Sequence, residues 1–485
     1  MRILSVILLL SSILYSTSLP EVRDAIKRKK YEWTASENWI TRLPASMQKN
    51  IVKKAKYPVS MKHTGLAGSP APANWDWRNH NGKNYVTSVK DQGGCGSCWA
   101  HAACAILESA ILIDTENPSF DLDLSEQYLV STCLLPEEGW PNDCGGGSPL
   151  AVVRFLAKHG TVTEECYPYS GRNSSCDERC ELWFRELVKA TTWAYVNYPG
   201  IEWMKENIQT GPIYVSFMVY YDFFYYDSGV YKRTSSTEAG LHDIATVGWS
   251  DTDSCWICKN SWGENWGENG FFRIAYYADS KFGIETSTLT YDDSAEYAQQ
   301  LVPNGGEKYN SSEKVKFIFK IKEYDSSTDY ANLYLSTDFG VSWIQLATVP
   351  VDTGYCYFTI PALPEMLAKV ASQRNPGLYD ISDSTFSGRG TGFAKFNRAV
   401  PAKNSFCIFP QPARSYVNIA LNSYRKTDVS ISIYNLIGIR ILNKQCSVDQ
   451  PAAVLRLSLK NIEKGIYFIE VRNSDFKANK VLVID

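Results

Sequence analysis

The stretch Asp-Gln-Gly-Gly-Cys-Gly-Ser-Cys-Trp-Ala, residues 91–100, decides the fold of this chain. It joins a glycine-rich loop to residues 98–113, which contain no glycine or proline and place apolar side chains at helical spacing. This pattern predicts a helix of about four turns that begins at Cys98. Unpaired backbone N–H groups and the positive end of a helix favour a thiolate, so Cys98 is the candidate nucleophile.

A thiolate that performs acyl transfer needs an imidazole, a group that orients the imidazole, and donors for the oxyanion. The chain has five histidines. His63 precedes the domain, and His80 and His159 lie in polar, loop-like contexts. His101 is three residues along the same helix as Cys98 and points away from the loop. His242 remains, at the start of a predicted strand. Asn260 ends the next predicted strand, where antiparallel pairing would bring its amide beside His242.

The region around these residues changes character along the chain. Its first half is helical, and Leu124-Ser125-Glu126-Gln127 starts a second helix. Beyond Gly211-Pro212 the sequence consists of short aromatic and β-branched runs, which predict strands. These runs are residues 213–221, 244–249, 256–259 and 271–277. A helical half followed by a β half predicts an α+β fold with a site in the cleft between the halves.

These residues resemble the papain family of cysteine proteases. The nucleophile signature Cys-Gly-Ser-Cys-Trp stands at 95–99, and His242 and Asn260 follow Cys98 by 144 and 162 residues, close to the spacing typical of that family. Further matching motifs occur in the family's order at 76–78, 124–127, 144–147, 167–169, 260–263 and 266–267. The resemblance covers about 220 residues and implies the two-lobed papain-like fold.

The resemblance also implies a role for each catalytic residue. Cys98 is the nucleophile, His242 is the general base and then the acid, and Asn260 orients His242. Trp262 shields the hydrogen bond between His242 and Asn260. Gln92 donates its side-chain amide to the oxyanion alongside the Cys98 backbone N–H.

Five residues are expected to contact the substrate. By the resemblance, Gly146 and Gly147 offer backbone hydrogen bonds to an extended substrate, with Ser148 and Pro149 as a wall. The family places the residue after the catalytic histidine, here Asp243, in the pocket for the second side chain before the scissile bond. Its carboxylate either pairs with Lys or Arg there or turns outward to bond a backbone N–H.

Other interpretations of the cysteines and of Asn260 stay open. Cys98 could pair with Cys95 as a redox Cys-x-x-Cys, and Asn260 could cap a strand end. The family instead pairs Cys95 with a downstream cysteine, here Cys144. A second family-type bridge would join Cys133 to Cys176, with Cys180 as a substitute partner.

A second Cys-x-x-Cys, residues 255–258, suggests zinc. A zinc ribbon needs two such pairs about 15 to 20 residues apart, and this chain lacks that spacing. These cysteines are expected in a strand, on opposite faces. No metal or organic cofactor is implied.

The type of peptidase is judged from departures from the family. There is no insertion between Gln92 and Cys95 and no His-His pair between Cys133 and Cys176, so an open cleft and an endopeptidase are expected. Residues 76–79, 82–85 and 99–102 look like the carboxypeptidase branch, which keeps an exopeptidase as the alternative. A catalytically silent binding protein on the same fold is the rival from another class.

Composition sets the wider frame. A chain of 485 residues, 44% hydrophobic and 21% charged, is long enough for about three domains. A net charge of -3 argues against nucleic acid as a partner. Thirteen cysteines suit an exported, oxidised protein, and their odd number leaves at least one free thiol.

The N-terminal region predicts export and a separate leader. Residues 1–18 look like a signal peptide, because the apolar run 3–14 is shorter than the roughly 20 residues of a membrane span; a short anchor is the alternative. Residues 19–70 carry eleven Lys or Arg against four Asp or Glu, a net of +7. Attraction to the acidic remainder predicts an inhibitory pro-segment, and a solvated charged helix is the alternative.

Two small all-β sandwich domains are expected after the protease domain, residues 71–292. Residues 293–400 resemble an immunoglobulin-like β-sandwich of secreted bacterial proteins, on motifs at 303–307 and 335–343. We expect a spacer there, with substrate or carbohydrate binding as the alternative. Residues 406–485 resemble the sorting domain of the bacterial type IX secretion system, on motifs at 409–413, 433–438, 459–467 and 480–484. The implied partners are protein or peptide substrates and the secretion machinery, for a protein that ends outside the cell or at its surface.

Overall fold

A computed structural model describes most of the chain. The described residues are 17–52, 71–134, 142–323, 329–361, 363–389, 406–409, 416–422, 427–435, 439–448, 452–460, 462–472 and 477–484. The predicted signal peptide lies outside them, apart from its last two residues. Within these ranges, no helix has both the length and the apolar character needed to cross a membrane. The chain divides into two compact units, with the boundary between residues 295 and 296.

All α-helices of the described residues belong to the first unit. They are α1 Leu19–Lys29, α2 Ala45–Ile51, α3 Cys98–Asp114, α4 Glu126–Val130, α5 Pro149–Lys158, α6 Trp183–Glu186 and α7 Ile201–Ile208. Short 3₁₀ turns occupy Trp77–Asn79, Cys176–Glu178 and Phe223–Tyr225.

The central helix α3 confirms the prediction made from its spacing. It runs for 17 residues from Cys98, and all but its last two residues are buried. The predicted second helix is also present, since the Ser125 side chain accepts a hydrogen bond from the Tyr128 N–H and caps α4. The helical half therefore surrounds one long helix whose first residue is the candidate nucleophile.

The β half of the first unit is one eight-stranded sheet. Its strands are β2 Asn74–Asp76, β3 Thr192–Val196, β4 Ile213–Tyr220, β6 Val230–Tyr231, β7 Glu238–Ser250, β8 Cys255–Lys259, β9 Phe271–Ala275 and β10 Glu285–Thr290. They follow the order β3-β10-β4-β7-β8-β9-β6, with β2 beside β7. A separate two-stranded sheet joins β1 Thr34–Ala35 of the leader to β5 Tyr226–Ser228.

The predicted α+β fold is confirmed, and one strand boundary is corrected. His242 was placed at the start of a strand, but β7 already begins at Glu238. The extra residues pair with the end of β4, where Met218 faces Leu241 and Val219 faces Gly240. Cross-strand pairing extends the strand beyond its apolar run, so His242 lies inside the sheet.

The second unit is all β. Its first half comprises β11 Tyr297–Val302, β12 Lys308–Asn310, β13 Lys314–Lys322, β14 Tyr330–Ser336, β15 Ile344–Pro350, β16 Tyr355–Thr359, β17 Leu367–Ser372, β18 Tyr379–Ile381 and β19 Ser387–Arg389, with a 3₁₀ turn at Val351–Thr353. Its second half comprises β20 Phe406–Phe409, β21 Tyr416–Asn422, β22 Thr427–Tyr434, β23 Arg440–Val448, β24 Ala452–Ser458, β25 Gly465–Arg472 and β26 Lys477–Ile484.

Each half of this unit buries the alternating apolar face of its strands between two sheets. In the first half, sheet β11-β13-β16 packs on sheet β15-β14-β17-β18 through residues such as Phe317, Leu335 and Ala368. In the second half, sheet β20-β21-β24 packs on sheet β23-β22-β25-β26 through residues such as Ile419 and Ile431. Two small β-sandwiches, as predicted, result from this burial.

Candidate active site

Cys98 begins α3 at the end of a tightly held loop. Gly93 in that loop has a φ of +57°, a conformation that glycine adopts without steric cost. The predicted bridge between Cys95 and Cys144 is present, and the Gly96 N–H donates to the Cys144 carbonyl over 3.0 Å. Cys95 is thereby engaged, which rules out the redox pairing with Cys98 in this structure. Cys98 is a fully buried thiol.

His242 and Asn260 meet as their spacing predicts. Strands β7 and β8 are antiparallel, and Asn260 follows the last residue of β8. The distance from His242 Nε2 to Asn260 Oδ1 is 2.8 Å. The same Asn260 oxygen accepts the Ser261 backbone N–H over 2.8 Å. Since Asn260 Oδ1 is an acceptor in both contacts, it selects the His242 tautomer with a proton on Nε2.

Aromatic rings surround this histidine. The Trp262 ring lies 4.6 Å from the His242 ring, tilted by 30°, and Phe217 approaches from another side at 6.0 Å. His242 and Trp262 are fully buried. Exclusion of water from the bond between His242 and Asn260 strengthens it, because an apolar surrounding lowers the local dielectric.

Gln92 is held beside the same loop by both ends of its side-chain amide. Its Oε1 accepts the Ser261 hydroxyl over 2.8 Å, which fixes the direction of the amide. Its Nε2 donates to the Cys95 carbonyl over 2.9 Å and to the Ile51 carbonyl over 3.1 Å. Ile51 belongs to the leader, so a leader carbonyl contacts the donor that was predicted for the oxyanion.

Asp243 points into the protein, next to the nucleophile. Its Oδ2 accepts the Cys98 thiol over 3.8 Å, and its Oδ1 accepts the Ser216 hydroxyl over 2.5 Å. The residue is 7% exposed. Of the two orientations left open by the sequence, the structure contains the inward one. Ser216 of β4 pairs with Asp243 of β7 on one side and with Glu285 of β10 on the other. Two buried carboxyl side chains therefore flank one hydroxyl.

Of the four residues predicted to line the cleft with Asp243, two glycines lie in or beside a turn, and Ser148 and Pro149 begin a helix. Gly146 exchanges both of its backbone hydrogen bonds with Asp143, so its N–H is already used within a turn. A side chain at Gly147 would collide with the Trp99 ring, since its Cβ would lie 2.3 Å from Trp99 Cδ2. Ser148 caps α5 through its hydroxyl, and Pro149 occupies the first position of that helix.

A buried cluster of charges lies behind the site and was missed by the sequence analysis. Lys90 Nζ approaches carboxylate oxygens of Glu108 and Glu126 at 3.3 and 2.9 Å and also contacts Asp123. Lys259 Nζ donates to the Thr87 hydroxyl over 2.9 Å, and Thr87 donates to Glu108. A cavity about the size of one water molecule separates this cluster from Asp243 and Asn260.

The charges in this cluster compensate one another. Burial alone would lower the pKa of Lys90, but Glu108 and Glu126 outweigh it and raise that pKa. Burial raises the pKa of Glu126 to about 7, and burial lowers the pKa of Lys259, partly offset by Glu108. The cluster thereby supports the segment that carries Asn260. Two motifs of the sequence, 124–127 with Glu126 and 259–262 with Lys259, contribute charges to it.

His101 of α3 and the cysteines of the second Cys-x-x-Cys, residues 255–258, are buried in the core. Burial lowers the pKa of His101 to about 3, so the ring is neutral, and its Nδ1 lies 3.0 Å from the Ser97 carbonyl. Cys255 and Cys258 are buried thiols in β8, the strand predicted for them. The predicted bridge between Cys133 and Cys176 is present, whereas Cys180 pairs with Cys166 in a third bridge that was not predicted.

The leader lies along this unit through apolar packing and directed hydrogen bonds. Trp33, Ile40, Ile51 and Val52 are buried in the core of the unit. Indole and amide groups of the leader donate to backbone carbonyls of the β half in three places. Trp33 Nε1 donates to Lys232 O over 3.0 Å, Asn38 Nδ2 to Phe224 O over 2.7 Å, and Trp39 Nε1 to Trp262 O over 2.9 Å.

A helix-borne thiol, a buried His–Asn pair on neighbouring strands and a fixed glutamine amide define the class of a cysteine protease. Residues 71–291 match the family described as "Papain family cysteine protease", and residues 407–485 match "Secretion system C-terminal sorting domain". The chain belongs to the papain family of cysteine proteases. The resemblances to the papain family and to the sorting domain are thereby confirmed.

Relatives with known names support the same assignment. The chain is 35% identical over 234 residues to "Cathepsin B-like CP3" of Giardia intestinalis, covering 46% of this chain and 75% of that protein. It is 34% identical over 244 residues to "Cathepsin L" of Sarcophaga peregrina, covering 47% of this chain and 68% of that protein. The similarity to proteins of both names establishes the family without selecting one branch.

Proposed function

We propose that this protein is a secreted endopeptidase that is made as an inactive precursor. Cys98, as thiolate, attacks the carbonyl carbon of the scissile bond, and His242 passes the proton to the departing amine. Water then attacks the acyl-enzyme, with His242 as the base. Asn260 keeps the imidazole in position throughout. The Gln92 amide and the Cys98 backbone N–H stabilise the oxyanion.

The contact that best supports this proposal is the hydrogen bond from Gln92 Nε2 to the Ile51 carbonyl. A carbonyl oxygen is the ground-state form of the group that becomes an oxyanion, and here one accepts from the expected donor. The 2.8 Å contact between His242 and Asn260 supports the base assignment independently. A silent binding protein on this fold would have no need for both features together.

A mixed peptide library distinguishes the two peptidase modes. The processed enzyme is incubated with long peptides whose termini are either free or blocked, and the new ends are sequenced. Internal cuts in both sets are expected for an endopeptidase. Removal of one or two residues from free termini only, with blocked peptides left intact, would establish the exopeptidase alternative instead.

The proposed inhibitor is the leader, residues 19–70. From the sequence, the leader is expected to bind the protease domain through its charge of +7. The described contacts come instead mainly from buried apolar side chains and from indole and amide donors. Lys29, which donates to the Arg233 carbonyl, is an exposed exception. Such contacts depend little on ionic strength, in contrast to exposed ion pairs.

We therefore predict that inhibition by a synthetic leader peptide persists at high salt. Between 0.1 and 1 M salt the Debye length falls from about 10 to about 3 Å, which removes long-range attraction but leaves buried contacts intact. The inhibition constant of peptide 19–70 is expected to change less than about threefold between these concentrations. A peptide with Trp39→Ala serves as the matched control and should inhibit more weakly at both. A tenfold loss of inhibition by the unchanged peptide at 1 M would show that charge dominates.

Asp243 is proposed to select basic side chains. Its inward carboxylate and the neighbouring Glu285 give the predicted pocket an acidic wall. Substrates with Arg at the second position before the scissile bond should be favoured over Leu by up to about 1 kcal/mol, the scale of a partly exposed ion pair. Asp243→Ala is expected to remove that preference in kcat/KM. An unchanged ratio of Arg to Leu in the variant would exclude the pocket role.

This preference should also depend on pH. Burial raises the pKa of Glu285 to about 7, with hydrogen bonding from Tyr195 opposing it and the charge of Asp243 adding to it. The carboxyl group is ionised above its pKa, so the preference for Arg should grow as the pH rises from 6 to 8. Glu285→Gln should flatten this change and leave hydrolysis of the Leu substrate intact. A ratio that falls with rising pH would contradict the assignment.

Export through the type IX pathway is proposed from the sorting domain, residues 406–485. The domain is expected to address the folded protein to the outer membrane machinery and to be absent from the released enzyme. A chain that lacks residues 406–485 should be retained in the periplasm of a producing bacterium, so that peptidase activity is found there and not in the medium. Activity in the medium at the level of the intact chain would contradict this role.

A further inference from the structure

The outward face of one sheet in the second unit carries a compact group of aromatic and polar side chains. This sheet, β15-β14-β17-β18, buries Ala331, Leu333 and Val370 on its inner face. The alternate residues point outward, and register places Tyr334 of β14 directly opposite Lys369 of β17. The pleat of the sheet therefore places Tyr334 and Lys369 side by side on the outer face.

Three rings converge on one ammonium group there. Lys369 Nζ lies 4.4 Å from the centre of the Tyr379 ring and 5.5 Å from the centres of both the Tyr334 and the Trp343 rings. Tyr379 is 51% exposed, and Tyr330 on the same face is 46% exposed. Within the described part of the chain, Lys369 forms no ion pair. The rings hold the cation in place by cation–π attraction without neutralising it.

The neighbouring turn fixes the position of Trp343. Asp338 accepts the Ser342 N–H over 2.9 Å, the Ser342 hydroxyl over 2.6 Å and the Ser336 hydroxyl over 2.8 Å. Gly340 in this turn has a φ of +84°, and a Cβ there would lie 3.4 Å from Trp343 Cζ2. These hydrogen bonds order the turn that precedes Trp343 and place its indole beside Gly340.

Polar groups adjoin the rings. Asn332 Oδ1 accepts the Gln345 amide over 3.1 Å and the Thr348 hydroxyl over 2.7 Å, and all three side chains are arranged on the outward face. The face thus combines ring surfaces, amide and hydroxyl groups, and the ammonium group of Lys369. We name it the Lys369 face, defined by Tyr334, Trp343, Lys369 and Tyr379 with Asn332, Gln345 and Thr348.

We propose that the Lys369 face binds a polysaccharide that contains acidic sugars. The apolar C–H faces of pyranose rings stack on exposed aromatic rings, their hydroxyls suit amide and hydroxyl side chains, and a uronate carboxylate complements the ammonium. Protein interfaces share the aromatic side chains of this face, but their cores are depleted in lysine, so the ammonium group favours the acidic glycan. The module then attaches the protease to a charged glycan surface, a function additional to peptide hydrolysis.

Binding is tested with the full chain and two defined polymers. Affinity electrophoresis through gels that contain polygalacturonate or neutral pullulan measures the retardation of the protein. Retardation by polygalacturonate is expected, weaker retardation by pullulan, and a decrease for polygalacturonate as salt is raised. Equal retardation by both polymers, or by neither, would overturn the proposal. Retardation of a Cys98→Ala chain by gelatin instead of either polymer, lost when Trp343→Ala is added, would assign the face to protein and overturn the proposal.

Variants localise the site. Trp343→Ala and Tyr379→Ala should each weaken binding of polygalacturonate about tenfold. Lys369→Gln should weaken binding of polygalacturonate while leaving the weak pullulan interaction unchanged. Tyr357→Ala is the matched control, since Tyr357 is 55% exposed and pairs with Lys314 on the opposite sheet of the same module.

Folding of each variant is verified independently. Lys369→Gln and Tyr357→Ala replace surface groups, and their thermal unfolding and hydrolysis of a small peptide should equal those of the unchanged chain. A folded Lys369→Gln variant that binds polygalacturonate with full affinity would overturn the proposal. The same conclusion would follow if Tyr357→Ala weakened binding as much as Trp343→Ala.

Discussion

Replacing Cys98 by alanine is expected to lower kcat on the order of 10⁴- to 10⁶-fold. Loss of the nucleophile removes the covalent route altogether, and what remains is binding and oxyanion stabilisation. The variant should still fold, since alanine keeps the start of α3. Hydrolysis of a small fluorogenic peptide, with correction for trace contamination, measures the effect. Activity within tenfold of the unchanged enzyme would refute the assignment of the nucleophile.

Cys104 provides the matched control for this substitution. It is a buried thiol on the same helix, and burial raises its pKa well above the usual value, which disfavours the reactive thiolate form. Cys104→Ala should retain activity. Alkylation gives a second readout, because Cys98 is fully buried while the leader is in place. Iodoacetamide should label Cys98 only after the leader has been removed, and prompt labelling of the precursor would contradict the proposed block.

Replacing Gln92 by alanine is expected to lower kcat by about 10² to 10³, or about 2.7 to 4 kcal/mol, with little change in KM. This is the scale for loss of one oxyanion donor, whose bond strengthens only in the transition state. Steady-state kinetics of the processed variant measure the two parameters separately. A change confined to KM would mean that the amide binds the ground state and does not stabilise the oxyanion.

The orientation of Gln92 can be tested separately from its presence. Ser261→Ala removes the hydroxyl that fixes Gln92 Oε1 but leaves the donor in place. We expect a smaller loss of kcat than for Gln92→Ala, and a combined variant no worse than Gln92→Ala alone, because the two residues act through one group. Fully multiplicative losses would show that Ser261 acts through another route.

The catalytic motif and the helix of Cys98 could be predicted from sequence because their determinants are local. Residues 98–113 place apolar side chains at helical spacing, and this pattern alone predicts most of α3. The pairing of His242 with Asn260 required one more step, since two consecutive strands of an antiparallel sheet bring their ends together. The alternation of buried and less buried side chains in β13 and β14 is also local, because successive side chains of a strand point to opposite faces.

Tertiary structure alone decided how distant residues complete the site. The Ile51 carbonyl meets Gln92 across 41 positions, Lys90 meets Glu126 across 36, and the inward turn of Asp243 depends on Ser216, which lies 27 residues earlier. The Lys369 face likewise unites rings from separate strands and a turn. No short-range pattern encodes such contacts, because each is set by strand register and by which buried charges find partners when the core closes.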